Sequence, residues 1–583
     1  MIEKKIMSGN EAIARGAYEG GVLFASAYPG TPSTEILENM ALYKDVKAEW
    51  SPNEKVALEV GMGAAFVGAR VLVAMKHVGL NVAADPLMTL AYTGIKGGLV
   101  IVSADDPGMH SSQNEQDNRF YAKFAEIPLL EPSDSQEALD MTKLGFEISE
   151  QFDTPVLLRM TTRICHSLSV VELNERIKLD RKLKFDKDPS KYVMIPMNAR
   201  RRHVFVKERL KKLKEFSNTV ACNKIEEGNS ELAIITSGVS YQYVKESYPQ
   251  ASVLKLGFTN PLPEKIIKQF IQDKKEVLVI EELEPFMEDQ IKSWGINVKG
   301  KSEEYKLGEL STAKVESIIS GQNRQEVSTE PPKQKSGKPP VLCAGCGHRA
   351  AFLTLRDLKL TVMGDIGCYS LATLPPLDSH ETCVCMGSGI NHAVGMSQVL
   401  AEKEKKETVA VIGDSTFVHS GITGIIEMVY NKADTVIIIL DNRITAMTGR
   451  QDHPGTGYTL QGEETHALDY ADVCRAVGVK FVKEANPYNI KEFEQIVKEA
   501  IAFDGPAVII SKAECVLIRK SRNNKIYTIN EEKCKMCGIC LKTGCPAIKK
   551  QDKTICIDAN LCIGCGLCFQ VCKFNAINTI EEN

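Results

Sequence analysis

The stretch VAVIGDSTFVHSGITGIIEMVYNKADTVIIILDNRITAMTG (Val409–Gly449) decides the fold class. An apolar run over Val409–Ile412 stops at Gly413-Asp414-Ser415. A helix-like segment follows over Ile422–Tyr430, and a second apolar run, Thr435–Leu440, ends at Asp441-Asn442. Short runs that are apolar throughout predict strands buried on both faces, and the helical stretch between them predicts a βαβ unit of a parallel sheet. Such sheets bind ligands beyond the carboxyl ends of their strands, where these polar residues fall. Asp414 and Asn442, about thirty residues apart, are hard oxygen ligands that, with a backbone carbonyl and diphosphate oxygens, complete the shell of a Mg2+ ion.

Outward from that stretch, the composition is that of a globular protein. The chain has 583 residues, 43% hydrophobic and 25% charged, with net charge −4. The length predicts about three to five domains, and bulk charge gives no argument for nucleic acid or membrane. Apolar runs fall short of the roughly 18–20 residues of a membrane span, and the N-terminal MIEKKIMSGNEAIARGAYEGG lacks an export pattern. Eighteen cysteines in such a chain point to a reducing, cytoplasmic setting in which clustered thiols serve as metal ligands or redox groups.

Two cysteine runs crowd the C-terminus: CKMCGICLKTGCP (Cys534–Pro546) and CIGCGLCFQVC (Cys562–Cys572). Zinc ribbons also use C-x2-C pairs, but two consecutive triplets at that spacing favour iron–sulfur ligation. The runs resemble the two-cluster ferredoxin pattern. That resemblance implies one [4Fe–4S] cluster on Cys534, Cys537, Cys540 and Cys572 and a second on Cys562, Cys565, Cys568 and Cys545, each run lending its fourth cysteine to the other cluster. The first run carries one residue more than usual within Leu541–Gly544, which predicts a bulged loop. Cys556, between the runs, reads as a buried small residue, and so do Cys165, Cys222 and Cys474.

The stretch at 409–449 resembles the diphosphate-binding motif of thiamine-diphosphate enzymes, which begins Gly-Asp-Gly/Ser and ends in Asn. The match implies that Asp414, Asn442 and the carbonyl of Ile444 bind Mg2+ while Gly413 and Ser415 approach the diphosphate; Gly387, in ETCVCMGSG, is counted with the cofactor-binding residues. A second domain must then cover the aminopyrimidine ring with a buried acid, which favours deprotonation of the thiazolium C2. FASAYPGTPSTEILE (Phe24–Glu38) and AEWSPNEKVALEVGMGAAFVGARVLVAMKHVGLN (Ala48–Asn81) supply it. Glu54 and Glu59 both precede an expected small-residue helix, Gly61–Ala69. The spacing to Gly63-Ala64 resembles that of the thiamine-diphosphate 2-oxoacid:ferredoxin oxidoreductases and selects Glu54 as the catalytic acid. Tyr28–Ser33 resembles that family's active-site loop and places Thr31 near substrate, and His77, in MKHVGLN, occupies an expected active-site loop.

In the same family, a C-x2-C-G followed by Gly-Cys holds a cluster close to thiamine. Here LCAGCGHRAAF gives Cys343 and Cys346, GDIGCYS gives Cys368, and Cys515 is the best fourth ligand by position, with Cys383 and Cys385 as substitutes; a third, proximal [4Fe–4S] is expected. Along the whole chain the resemblance is to the large (alpha) subunits of the family's indolepyruvate branch, and SSQNEQDNR (Ser111–Arg119) is typical of them. Pyruvate members carry an arginine after Ser-Ala, whereas Ser103-Ala104 is followed here by Asp105-Asp106. The resemblance therefore implies oxidative decarboxylation of aryl pyruvates such as indolepyruvate, with coenzyme A taking the acyl group and an external ferredoxin the electrons. It also implies a smaller beta subunit in an α2β2 assembly. Alternatives are a phenylpyruvate, branched-chain or pyruvate enzyme, a non-redox decarboxylase, or an electron-transfer subunit without its own catalytic site.

The expected architecture is α/β throughout its body. A pyrimidine-binding domain over 1–175 is followed by a basic, solvated connecting segment over 176–228 and a smaller α/β domain over 229–320. A linker (321–340) leads to a diphosphate-binding domain over 341–525 and a ferredoxin-like α+β tail over 526–583.

Overall fold

The structure, a computed structural model, describes residues 3–228, 231–321, 340–519, 525–551 and 554–581. Of the expected linker, residues 322–339 lie outside the described residues. The chain divides into two compact units, Met1–Pro332 and Lys333–Asn583. Among the described residues no helix is long and apolar enough to cross a membrane.

The first unit is built on a seven-stranded sheet. Its parallel strands are Lys47–Trp50, Phe24–Ala27, Val71–Lys76, Leu99–Asp105, Val156–Thr161 and Leu129–Leu130, in that spatial order. Val71–Lys76 and Leu99–Asp105 are buried at every position, as strands covered on both faces must be. The last strand, Phe258–Asn260, joins antiparallel from beyond the expected domain boundary, so the small domain completes the edge of the large sheet. The small domain has its own sheet, ordered Glu276–Ile280, Leu232–Ser237, Ser252–Leu256 and Lys224–Glu226. That last strand draws residues of the connecting segment into the small domain.

Two expectations about helices are corrected. The helix expected at Gly61–Ala69 runs instead over Glu54–Phe66. The Asn53 side chain accepts from the Val56 amide and starts the helix early, and Gly68, at φ +102, stands just past its end. The basic segment is helical over Pro196–Ser217 but not solvated on all sides. Arg202 donates to the carbonyls of Tyr92 and Thr93, and buried Arg209 to that of Ala91, all at the C-terminal end of helix Ala84–Thr93. Cations fit there because the last carbonyls of a helix lack partners of their own.

The second unit holds a five-stranded parallel sheet ordered Thr361–Met363, Thr408–Gly413, Val436–Asp441, Ala507–Lys512 and Phe481–Ala485. Val409, Val411, Ile437, Ile438 and Ile439 are fully buried, each contributing about 1.5–3 kcal/mol of transfer free energy. Helix Ile422–Tyr430 stands where the sequence places it, but a π-helical turn over Phe417–Gly421 precedes it. The tail adds two antiparallel pairs, Lys525–Ile529 with Ile577–Glu581 and Ile548–Gln551 with Thr554–Ile557.

Candidate functional site

In the second unit, Gly413 pairs with Leu440 across two neighbouring parallel strands. The residues that follow, Asp414 and Asp441, are thereby brought side by side at the carboxyl edge. Both are 2% exposed, and two buried like charges are costly unless a cation joins them. Asp414 Oδ1 accepts from the Ser415 amide at 2.8 Å, and Oδ2 from the amides of Asn442 at 3.1 Å and Arg443 at 2.8 Å. Burial works against the charged form of Asp414, but His453 and these amides hold its carboxyl below the usual carboxylate value. Asp441 is pushed up to about 6, first by burial and then by Asp414. Asp441 is thinly paired among the described residues, its ion-pair contact being Arg443 Nε at 3.2 Å.

Asn442 Oδ1 accepts from the Ile444 amide at 3.0 Å, and Asn442 Nδ2 lies 3.3 Å from His348 Nε2. Burial pushes His348 down to about 4, so its ring is neutral and accepts that amide proton. The Gly413 amide donates to the Tyr369 hydroxyl at 3.0 Å, and Ser415 Oγ accepts from Thr445 Oγ1 at 2.9 Å. Gly387, at φ +87, precedes helix Ser388–Ser397, and a Cβ there would fall 2.6 Å from Ser420 Cβ. Asp365 fixes this turn through the amides of Gly387 and Gly389. A carboxylate short of donors, an amide oxygen and a tight glycine turn at one sheet edge fit a hydrated divalent cation carrying a diphosphate. His453 and His348 were not singled out in the sequence; their signal, isolated histidines in loop or helix-start positions, is too weak.

Cys343, Cys346, Cys368 and Cys515 are drawn together: burial first, then the neighbouring thiols of Cys346, Cys515 and Cys343, push the Cys368 thiol up to about 11. Cys515 is placed by its amide bond to the Asn442 carbonyl at 2.9 Å. Cys383 and Cys385, the substitutes, are exposed. In the tail, one cavity is lined by Cys545, Cys562, Cys565 and Cys568 and another by Cys534, Cys537, Cys540 and Cys572. Each cavity thus joins one triplet to the fourth cysteine of the other run. Apolar residues complete them, Ile548, Ile563 and Leu567 in the first and Ile529, Ile555 and Phe574 in the second. Among the described residues no three His, Cys, Asp or Glu side chains stand at single-ion spacing; a cubane spreads its four thiolates over a larger body than one ion. Cys556 lies half-buried on the strand Thr554–Ile557, its thiol 3.7 Å from the Lys549 carbonyl.

In the first unit, Glu54 opens its helix and is 5% exposed, packed against Gly79, where a Cβ would lie 2.6 Å from Glu54 Oε1. Glu59 faces outward and pairs with Lys55. Thr31 is half-buried, with its carbonyl 3.5 Å from Ser111 Oγ. His77 is fully buried at the start of helix His77–Val82, not on a surface turn; Nε2 lies 3.2 Å from the Asn114 carbonyl, and burial lowers its pKa. Asp105 and Asp106 turn inward. Asp105 accepts from Arg159 Nε at 2.6 Å, and Asp106 from the Ser111 amide, Ser112 Oγ and Thr162 Oγ1. They thereby hold the 111–119 loop in place.

Three family models match the chain: the C-terminal TPP-binding domain of thiamine pyrophosphate enzymes over 365–511, the thiamine-diphosphate-binding domain of pyruvate flavodoxin/ferredoxin oxidoreductases over 15–221, and a 4Fe-4S binding domain over 555–578. A protein of Archaeoglobus fulgidus described as indolepyruvate oxidoreductase subunit IorA is 40% identical over 616 residues, covering 100% of this chain and 98% of that one. Its namesake in Pyrococcus horikoshii is 41% identical over 632 residues, covering 100% and 97%. That of Methanothermobacter marburgensis is 41% identical over 605 residues, covering 99% and 97%.

Fold and site together define a thiamine-diphosphate-dependent oxidoreductase subunit carrying its own iron–sulfur tail. More closely, the chain belongs to the family of the indolepyruvate oxidoreductase subunits IorA.

Proposed function

We propose that this chain is the catalytic large subunit of an aryl-pyruvate oxidoreductase. The balanced reaction is indolepyruvate, coenzyme A and two oxidised ferredoxins giving indoleacetyl-CoA, CO2, one proton and two reduced ferredoxins. Asp414, Asn442 and the Ile444 carbonyl hold Mg2+ against the diphosphate, and Gly413, Ser415 and Gly387 shape the turns around it. Glu54 donates or accepts the proton at the aminopyrimidine N1′, for which a buried carboxyl at a rigid helix start is suited. Thiamine diphosphate, when bound, supplies the electron sink for decarboxylation. Thr31, half-buried beside Ser111, stands near the approach of the 2-oxoacid, and His77, itself buried, braces the Asn114 segment of the 111–119 loop. Cys343, Cys346, Cys368 and Cys515 hold a proximal [4Fe–4S] cluster. The tail holds two more, on Cys534, Cys537, Cys540 and Cys572 and on Cys562, Cys565, Cys568 and Cys545, which carry electrons singly. A smaller beta subunit completes an α2β2 assembly, and an external ferredoxin receives the electrons.

Whole-chain similarity to subunits named for indolepyruvate carries the reading. The inward-turned Asp105 and Asp106 support it, because they stand where pyruvate enzymes grip a carboxylate and are spent on the protein's own loop. The test is anaerobic turnover of indolepyruvate, phenylpyruvate, a branched-chain 2-oxoacid, pyruvate and 2-oxoglutarate with coenzyme A and ferredoxin. Indolepyruvate is expected to give the highest kcat/KM. Equal or faster turnover of pyruvate overturns the substrate assignment.

A further inference from the structure

Between the cysteines of the C-x2-C-G segment and those of the tail sits Arg349, on helix Gly347–Asp357 and 2% exposed. Among the described residues no carboxylate pairs with it. Its donors go to backbone carbonyls: Nη1 to Thr543 at 3.0 Å, and Nη2 to Leu342 and, at 3.4 Å, Cys343. Nε is buried without an acceptor. Arg349 lines the same cavity as Cys545, Cys562, Cys565 and Cys568, while its bond to the Cys343 carbonyl sets it against the proximal cysteines. A buried cation left short of counter-charge is expensive, and the thiols beside this one belong to two separate cysteine sets.

The backbone is shaped to keep it there. The extra residue of the first tail run forms a short 3-10 turn, Leu541–Thr543, closed by Gly544 at φ +68. A Cβ on Gly544 would come 2.8 Å from Arg349 Nη1, so only glycine lets the loop close over the guanidinium. The loop's carbonyls point back at helix Gly347–Asp357, Thr543 to Arg349 and Lys542 to Arg356.

We propose that Arg349 is the shared counter-charge of the proximal cysteine set and the Cys545/Cys562/Cys565/Cys568 set, a positioning residue that raises the reduction potential of the clusters on both and ties the two together. The inference rests on the proposed cluster assignments, not on the substrate. A fixed positive charge favours the more negative, reduced state of each cluster, so one residue makes both easier to reduce.

The experiment is a dithionite redox titration of the anaerobic, full-length protein followed by EPR, with iron content measured alongside and no 2-oxoacid present. Arg349→Gln is expected to lower the reduced-to-oxidised ratio of the two neighbouring clusters about tenfold at fixed potential, equivalent to about 59 mV for a one-electron couple. The third cluster should be unmoved. Arg349→Lys, which keeps the charge, should titrate like the parent, and so should Arg356→Gln, which removes a tail contact without touching a thiol. Loss of iron in Arg349→Gln but not in Arg349→Lys also supports the role. Unchanged potentials in Arg349→Gln with full iron, an equal shift in Arg349→Lys or Arg356→Gln, or iron loss in both Arg349 variants would each overturn it. A parent protein without iron would instead sink the cluster assignments themselves.

Discussion

In the first unit, fully buried Arg119 engages all three of its guanidinium nitrogens with Asp117, Glu281 and the carbonyls of Glu282 and Glu284. In the second, Arg349 leaves Nε unmatched and meets no carboxylate among the described residues. The carboxylates divide the same way. Asp105 and Glu131 each accept from Arg159 at 2.6 Å through one oxygen, though their other oxygens and Arg159 Nη2 find no hydrogen-bond partner among the described residues, whereas Asp441 lies buried beside Asp414 and is paired with the half-exposed Arg443. Because unpaired buried charge is costly, the first unit's network, closed by buried arginine–carboxylate pairs though not at every atom, contrasts with Asp441, whose ion-pair partner Arg443 is half-exposed. The closed network fastens the small domain to the large sheet, through the Arg119–Glu281 pair.

The comparison predicts its largest effect at Asp414. Asp414→Asn should weaken Mg2+ and thiamine diphosphate binding by at least about a hundredfold, read by calorimetry. It should also abolish the rise in Tm that saturating cofactor gives, about 2.7 kcal/mol at a hundred times Kd. The apo variant loses a carboxylate that His453 and three amides favour but also its repulsion with Asp441, so its own stability should change far less than its cofactor binding. A destabilised apo variant that still binds cofactor would make Asp414 a structural residue and erase the contrast.

Glu54 sharpens it, being a buried acid at the start of a first-unit helix. Glu54→Gln should cost about 10^2–10^4-fold in kcat while Tm stays within a degree or two, and Glu59→Gln, exposed on the same helix, should leave both unchanged. Equal effects from the two would remove Glu54 from the reaction. Arg159→Met tests the closed side. It strands Asp105 and Glu131 and should cost about 3–5 kcal/mol in urea unfolding, with cofactor affinity in the second unit retained.

Much of this was legible in the chain, for physical reasons. Parallel strands announce themselves as unbroken apolar runs, so Thr408–Gly413 and Val436–Asp441 lie within a residue of their expected limits. Thiol spacing is equally explicit, since a cluster dictates which residue types stand at which intervals. Helix Glu54–Phe66 was misplaced because its start depends on one side-chain hydrogen bond from Asn53, which weighs less in a sequence than the run of small residues behind it. The strand Phe258–Asn260 belongs to a sheet more than a hundred residues upstream, and no local pattern specifies a partner that distant. CAGCGHR was read only for its cysteines. The arginine three places on, the helix after it and the extra residue of the tail become one arrangement only when folded.

The smallest predicted effect lies where those cysteine segments meet. Gly345, between Cys343 and Cys346, has φ +66, and a Cβ there would fall 2.2 Å from the side chain of Ile563, which lies between Cys562 and Cys565. The Tyr488 hydroxyl secures the Gly345 carbonyl at 2.7 Å, and Gln570 of the tail donates to the Tyr488 carbonyl at 2.7 Å. Gly345→Ala therefore meets two penalties: about 1–2 kcal/mol for a left-handed backbone, and a clash that pushes the tail away. Ile563→Ala removes only the second. Limited proteolysis between the sheet domain and the tail should be faster in Gly345→Ala than in the parent and should slow again in the double variant, without returning fully to the parental rate. If the double variant is cut as fast as Gly345→Ala alone, the two C-x2-C segments do not interlock through this contact, and Arg349 with its carbonyl partners is left as the principal tie between sheet and tail.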